Sequence, residues 1–364
     1  MIFGLRLTII TANHSLTQSS MDFEQLITEV GLQPLQLFLG LAMGLAFGIG
    51  ASISQFCLRK LVLDLSVLKL SNASYTWLFG LGVAIMATQL LLRGDTGDIS
   101  EAPVLNGGAS LSGPIIGGFM FGFGMMLSRG CASRQIIQLA SGNLRSLFTL
   151  ATFAVAAQLT YGGQLVPFRQ TVQDLWRLNQ PANQLHEWLP LAQSHYLIIG
   201  VVMTIVSALI LIKGRAWPQL VGAAIVGFAI ALGWYVTSFI AYHSFNAILP
   251  QSITFSAPAA QSLISVISLD APFIRLGAGL LIGCLVGSII VTLGRRDFNL
   301  QSFTPRLPMG QYLLAGTLMG VGSVLASGCS IGAGLSGTAV MATSSVVTLI
   351  FILFGGLISA RYNS

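Results

Sequence analysis

Two cysteines in this sequence close the same frame of small residues. GFMFGFGMMLSRGC ends at Cys131 and GTLMGVGSVLASGC ends at Cys329, so that six of fourteen positions agree without a gap. A third thiol, Cys57, ends FGIGASISQFC; Ser52, Ser54 and Gln55 precede it and Arg59 and Lys60 follow. A thiol is a weak donor with a polarizable sulfur. Such a group suits a soft, sulfur-bearing anion that must be held weakly and then released. Cys284 is different: it sits mid-run in LLIGCLVGS with no polar residues after it, and reads as a small packing residue.

Other uses of these thiols find little support. None lies in a CxxC pair or beside a histidine, which argues against a zinc site or a thioredoxin-like motif. Met125 and Met126 flank Cys131 but read as core filling, so no metal site and no cofactor is expected. The apolar stretches hold almost no acid, so a proton or sodium site built on carboxylates is not evident.

The segments after the two Gly-Cys frames complete the candidate site. ASRQIIQLASGN follows Cys131 and SIGAGLSGTAVMATSS follows Cys329, both too polar for a helix facing lipid. Non-helical backbone at membrane depth is tolerated where it is buried or lines a cavity. Both therefore read as broken or re-entrant half-helices that meet at the centre, with freed N–H groups that favour an anion. Ser133, Ser330 and Ser336 would add hydroxyl donors, and Gly130 and Gly328 belong to the frame itself. Arg129 and Arg134 are expected to form a positive inner vestibule, the simpler alternative being cytoplasmic topology anchors.

The elements that must position these residues follow from composition. Of 364 residues, 54% are hydrophobic and 8% charged, where a soluble domain carries about a quarter charged residues. With a mean hydropathy of +0.81, this is an all-α polytopic membrane protein. Spans need about 20 apolar residues, and about nine candidates fall near 33–53, 74–92, 110–128, 146–163, 195–213, 217–241, 271–293, 310–327 and 344–361. No alternating strand pattern runs through them, which argues against a barrel.

The net charge of +6 is a topology signal, not a nucleic-acid footprint. Lys and Arg gather at alternate connections, Asp and Glu at the others, which puts the N-terminus outside and the C-terminus inside. Residues 1–30 form an outer segment with no cleavage site, and Met21 is an alternative start. Residues 31–163 and 195–364 are expected as two membrane repeats, joined by an outer loop at 164–194; the polar stretch 242–270 reads as a second, partly re-entrant loop. The charge rule runs the span leading to Cys131 inward and the span leading to Cys329 outward. Opposed repeats with a ligand site at their interface are a transporter plan; simple glycine packing faces are the alternative.

FGFGMMLSRGC, MGVGSVLASGCSIGAGLSG and FGIGASISQFC resemble the YeeE/YedE family of sulfur-transport membrane proteins, across roughly residues 35–360. The resemblance implies an hourglass of two inverted halves in a bacterial inner membrane, and uptake of thiosulfate or a related sulfur anion. It assigns Cys57, Cys131 and Cys329 as a relay of brief S–H···S contacts. A cytoplasmic sulfur-carrier protein is a possible partner, alongside the bilayer. A membrane-embedded thiol oxidoreductase and a metal or metalloid permease are the alternatives.

Overall fold

Apolar runs set the helices and glycines set how closely they pack. The computed structural model describes residues 32–92, 99, 102–106, 110–177, 193–243, 249–268, 276–303 and 308–362. The expected outer segment 1–30, and most of the acidic residues used for the topology, lie outside these. All named elements among the described residues are helical. The order is α1 (Leu32–Ser54), α2 (Leu58–Ser66), α3 (Asn72–Leu91), α4 (Pro103–Asn106), α5 (Ser112–Leu127), α6 (Ala132–Ala140), α7 (Leu144–Gly162), α8 (Val166–Asp174), α9 (Gln193–Lys213), α10 (Trp217–His243), α11 (Ser256–Ser268), α12 (Leu276–Arg295), α13 (Met309–Leu325), a wide π-turn segment (Gly332–Gly337) and α14 (Thr343–Tyr362).

Seven helical stretches among the described residues are long and apolar enough to cross a membrane, against the nine expected. The two others are helices all the same. α13 is apolar but has 17 residues. α7 has 19, but carries Arg145, Ser146, Thr149, Thr152, Gln158 and Thr160, which dilute its apolar character. Two expected loops contain helix: α8 lies within 164–194 and α11 within 242–270. Pro258 in the first turn of α11 is tolerated because an N–H there has no partner within the helix.

The core is sewn by glycine seams. A Cβ added at Gly40, Gly44 or Gly48 of α1 would lie 2.1, 2.2 and 2.3 Å from the carbonyl oxygens of Leu276, Leu280 and Cys284 on α12. In return, Gly279, Gly283 and Gly287 of α12 meet the Leu37, Leu41 and Leu45 carbonyls at 2.3, 2.2 and 2.6 Å. Small residues every fourth position let two backbones approach this closely. Cys284 sits inside this seam, fully buried.

The same device recurs elsewhere. α5 meets α14 at Gly122, where a Cβ would stand 2.1 Å from the Ile352 oxygen, and α13 meets α7 at Gly320, 2.6 Å from the Phe153 oxygen. α3 packs on α10, and α9 packs on α3 from outside with Ile198, Val202, Ile205 and Leu209 exposed. Such an apolar outer face suits lipid, not water.

Candidate functional site

Three helix ends share one construction. α1, α5 and the α13 helix stop at a left-handed residue: Gln55 (φ 52°), Arg129 (φ 61°) and Ser327 (φ 56°). The next N–H bends back five residues: Phe56 to the Ala51 oxygen at 3.0 Å, Gly130 to Met125 at 3.0 Å and Gly328 to Ser323 at 2.8 Å. This closes the helix C-terminus as a Schellman turn. The residue after that is a cysteine each time. Cys57 and Cys131 then cap the N-termini of α2 and α6, while Cys329 leads into the π-turn segment.

The same left-handed turn also ends helices at Leu68, Arg215, Arg296 and Met341, where Leu70, Trp217, Phe298 and Thr343 occupy the cysteine position. The turn alone is therefore general to this protein, and the thiol two residues on is what distinguishes three of its copies.

Gly328 is required by space, since a Cβ there would stand 2.6 Å from the Ala333 nitrogen. Gly130 is less constrained: its neighbours are the stem of Arg134 and the Gln135 amide. Gln135 holds the first frame closed by donating Nε2 to the Ser128 oxygen at 2.8 Å and the Gly130 oxygen at 3.3 Å. Its role has no signal in the sequence beyond its place one turn after Cys131.

The thiols are buried, with Cys131 2% and Cys329 0% exposed. Cys131 Sγ lies 3.3 Å from Ser133 Oγ, and both Cys57 and Ser330 are close enough to act on it. Cys329 accepts the Gly332 N–H at 3.4 Å on its sulfur, and enters the cluster through its neighbour Ser330. Cys57, Cys131, Ser133 and Ser330 are thus brought together, with Gly130 and Gly328 in the turns beneath. Ser330 Oγ is fully buried and has no hydrogen-bond partner among the described residues. Ser336, expected as a donor, is already committed: its hydroxyl donates to the Ile253 oxygen at 2.7 Å and its carbonyl accepts Trp234 Nε1 at 3.0 Å.

Positive charge collects beside Cys57. Arg59 is half-buried, its Nε is buried with no hydrogen-bond partner among the described residues, and it lies within electrostatic range of Cys57, Arg129 and Tyr312. No carboxylate stands among those groups. Asp64, on the same helix, accepts from Ser71 and Ser74, lies within range of Lys60, and is not among the groups acting on Arg59. Arg59 and Lys60 lie in the first turn of α2 and Arg134 in that of α6, neither of which carries an acid. A cation there adds to the positive helix end instead of offsetting it, an arrangement that disfavours itself by about 0.3–1 kcal/mol per charge and that an anion would relieve. The sequence signal for Arg59 is its place two residues after Cys57.

One further clasp fixes this corner. Arg295, ending α12, donates Nη1 to the Ser52 oxygen at 3.4 Å and Nη2 to the Ile53 oxygen at 3.3 Å, satisfying the last carbonyls of α1 just ahead of Cys57.

Residues 53–358 match the family model for sulphur transport. The chain is similar to the thiosulfate transporter TsuA of Escherichia coli (strain K12), 26% identical over 337 residues that cover 87% of this chain and 91% of that protein. It is also similar to the thiosulfate transporter TsuA of Spirochaeta thermophila, 27% identical over 342 residues, 88% of this chain and 96% of that one.

Proposed function

The chain belongs to the sulphur transport family, and from that premise we propose that it carries thiosulfate, or a related sulfur-containing anion, across a bacterial inner membrane past a line of thiols. The observation that carries this reading is the buried Cys131 thiol, 3.3 Å from Ser133 Oγ and within electrostatic range of Cys57 and reach of Ser330. Thiosulfate has a terminal sulfur and three oxygens. A thiol offers its sulfur a weak, polarizable donor, and a conduit needs binding weak enough to let go. Cys57, on the cationic side, forms one step, and Cys131 and Cys329 form the next, flanked by Ser133 and Ser330. Arg59, Arg129 and Arg134 supply a positive field at one mouth that draws the anion.

The architecture we propose is two inverted halves, 31–163 and 195–364, forming an hourglass. The packing supports it: α5 meets α14 as α13 meets α7, and α1 meets α12 as α10 meets α3. Exchanging each helix for its counterpart in the other half turns one pair into the other. The oxidoreductase reading lacks such support, since the relatives are named transporters.

The test is growth of a bacterium lacking its own sulfate and thiosulfate uptake, on thiosulfate as sole sulfur source. The chain should restore growth, and the Cys131→Ser variant should not. Equal growth with and without the chain overturns the reading.

A further inference from the structure

The thiols account for the sulfur end of such an anion and leave its oxygens without a partner. Oxygen atoms of an oxyanion call for stronger donors, N–H or O–H, than a thiol provides. A buried donor already bonded to the protein cannot serve, so the search is for one that is buried and unspent.

Trp77 on α3 meets that condition. Its side chain is 2% exposed, and its Nε1–H, a group that can only donate, has no partner among the described residues. Buried tryptophan N–H groups ordinarily find an acceptor, as Trp234 does on the Ser336 carbonyl at 3.0 Å. The place of Trp77 is specific. Its rings stack on Phe56 with centroids 6.4 Å apart, and Phe56 is the residue immediately before Cys57. Gly80, one turn along α3, makes room for that phenyl ring: a Cβ there would stand 2.7 Å from Phe56 Cε2.

On the other side, Trp77 Cζ2 is 3.9 Å from where a Cβ on Gly334 would be. Gly334 donates its N–H to the Cys329 carbonyl at 3.4 Å. Cζ2 lies two bonds from Nε1, which brings the N–H side of the indole near the segment that follows Cys329. Ser330, whose buried hydroxyl lies within reach of the Cys131 thiol and makes no other hydrogen bond among the described residues, is in that same segment.

We infer that Trp77 Nε1–H and Ser330 Oγ–H bind the oxygens of a tetrahedral sulfur oxyanion at the step between Cys57 and Cys329, while the thiols face its terminal sulfur. This deepens the transport reading and rests on it for the nature of the anion. The division of labour explains why a site made of thiols also holds a buried indole N–H with no partner among the described residues and a buried hydroxyl whose one neighbour is a thiol. It also gives a basis for selectivity, since sulfate has the oxygens but no soft atom for the thiols.

The test uses the full chain in lipid nanodiscs with 15N-labelled tryptophan, the Trp77 indole resonance being assigned by its loss in the Trp77→Phe variant. Thiosulfate should move that resonance in a saturable way, with sulfate moving it far less. Trp77→Phe keeps an aromatic ring against Phe56, and should raise the half-saturating thiosulfate concentration for uptake about tenfold. If the parent takes up thiosulfate while its Trp77 resonance stays fixed, as it would with a water molecule held there, the inference is overturned and transport stands. If the resonance responds to another sulfur oxyanion while thiosulfate is neither bound nor taken up, the donor site stands and the choice of thiosulfate fails.

Discussion

Gly117 and Gly322 face each other backbone to backbone: a Cβ added to Gly117 would stand 2.5 Å from the Gly322 oxygen, and one added to Gly322 would stand 2.6 Å from the Gly117 oxygen. Each helix thus presents its bare Cα to the other's carbonyl, below the turn that carries Cys329 and toward the opposite end of α5 from Cys131. Gly322→Val should therefore force α5 and α13 apart, by overpacking that destabilises about 1–3 kcal/mol in an ordinary core. The detergent-solubilised variant should melt well below the parent. Gly310→Ala, at a position with open space around it, should melt with the parent. Equal melting of the two variants would contradict the seam.

The thiols should separate by role. Serine keeps the size and a donor but loses the polarizable sulfur, so Cys131→Ser and Cys329→Ser should each lower initial uptake of labelled thiosulfate by about tenfold or more, roughly 1.4 kcal/mol. Cys284→Ser, deep in the α1–α12 seam, should come within about twofold of the parent. An essential Cys284 with a dispensable Cys329 would refute the assignment.

Arg59→Gln should lower uptake several-fold and flatten its dependence on ionic strength, because the removed charge acts partly through the field it casts. Arg59→Lys should recover part of the rate, keeping charge without the planar donor fork. Unchanged uptake in Arg59→Gln, with normal membrane insertion, would reduce this cluster to topology.

Ser327 adopts φ 56° with its side chain exposed. Left-handed backbone costs a non-glycine residue about 1–2 kcal/mol, which glycine avoids. Ser327→Gly should raise the melting temperature by a few degrees. A lower melting temperature would mean that the hydroxyl holds the turn.

Much of this was legible in the chain because lipid-sized apolar runs and polar interruptions leave strong marks. The breaks at Arg129 and Ser327 fall just before a glycine-cysteine pair, where the apolar run ends. The shared turn at Cys57 was harder to see: Gln55 replaces the arginine and serine of the other frames, and Phe56 replaces their glycine. Trp77 carried no mark at all. In NASYTWLFG an indole reads as core, and its unspent N–H exists only in three dimensions. Ser336 failed as a free donor for the same reason, since its acceptor, Ile253, lies 83 residues away.

The glycine seams have a mechanical consequence. α1 is locked to α12, α5 to α14 and α7 to α13, and each pair joins a helix before residue 163 to one after residue 195. The two stretches of chain are interlaced like the fingers of clasped hands, with the Arg295 guanidinium holding the end of α1. Among the described residues no shear plane runs between them. To swing one as a rigid lever about the other would pull carbonyl from Cα along three seams at once. On the transport reading proposed above, motion that lets an ion pass would fall to the smallest movable parts: a thiol rotating about its Cα–Cβ bond, an arginine changing rotamer, or a turn of a few residues yielding within a frame that stays still.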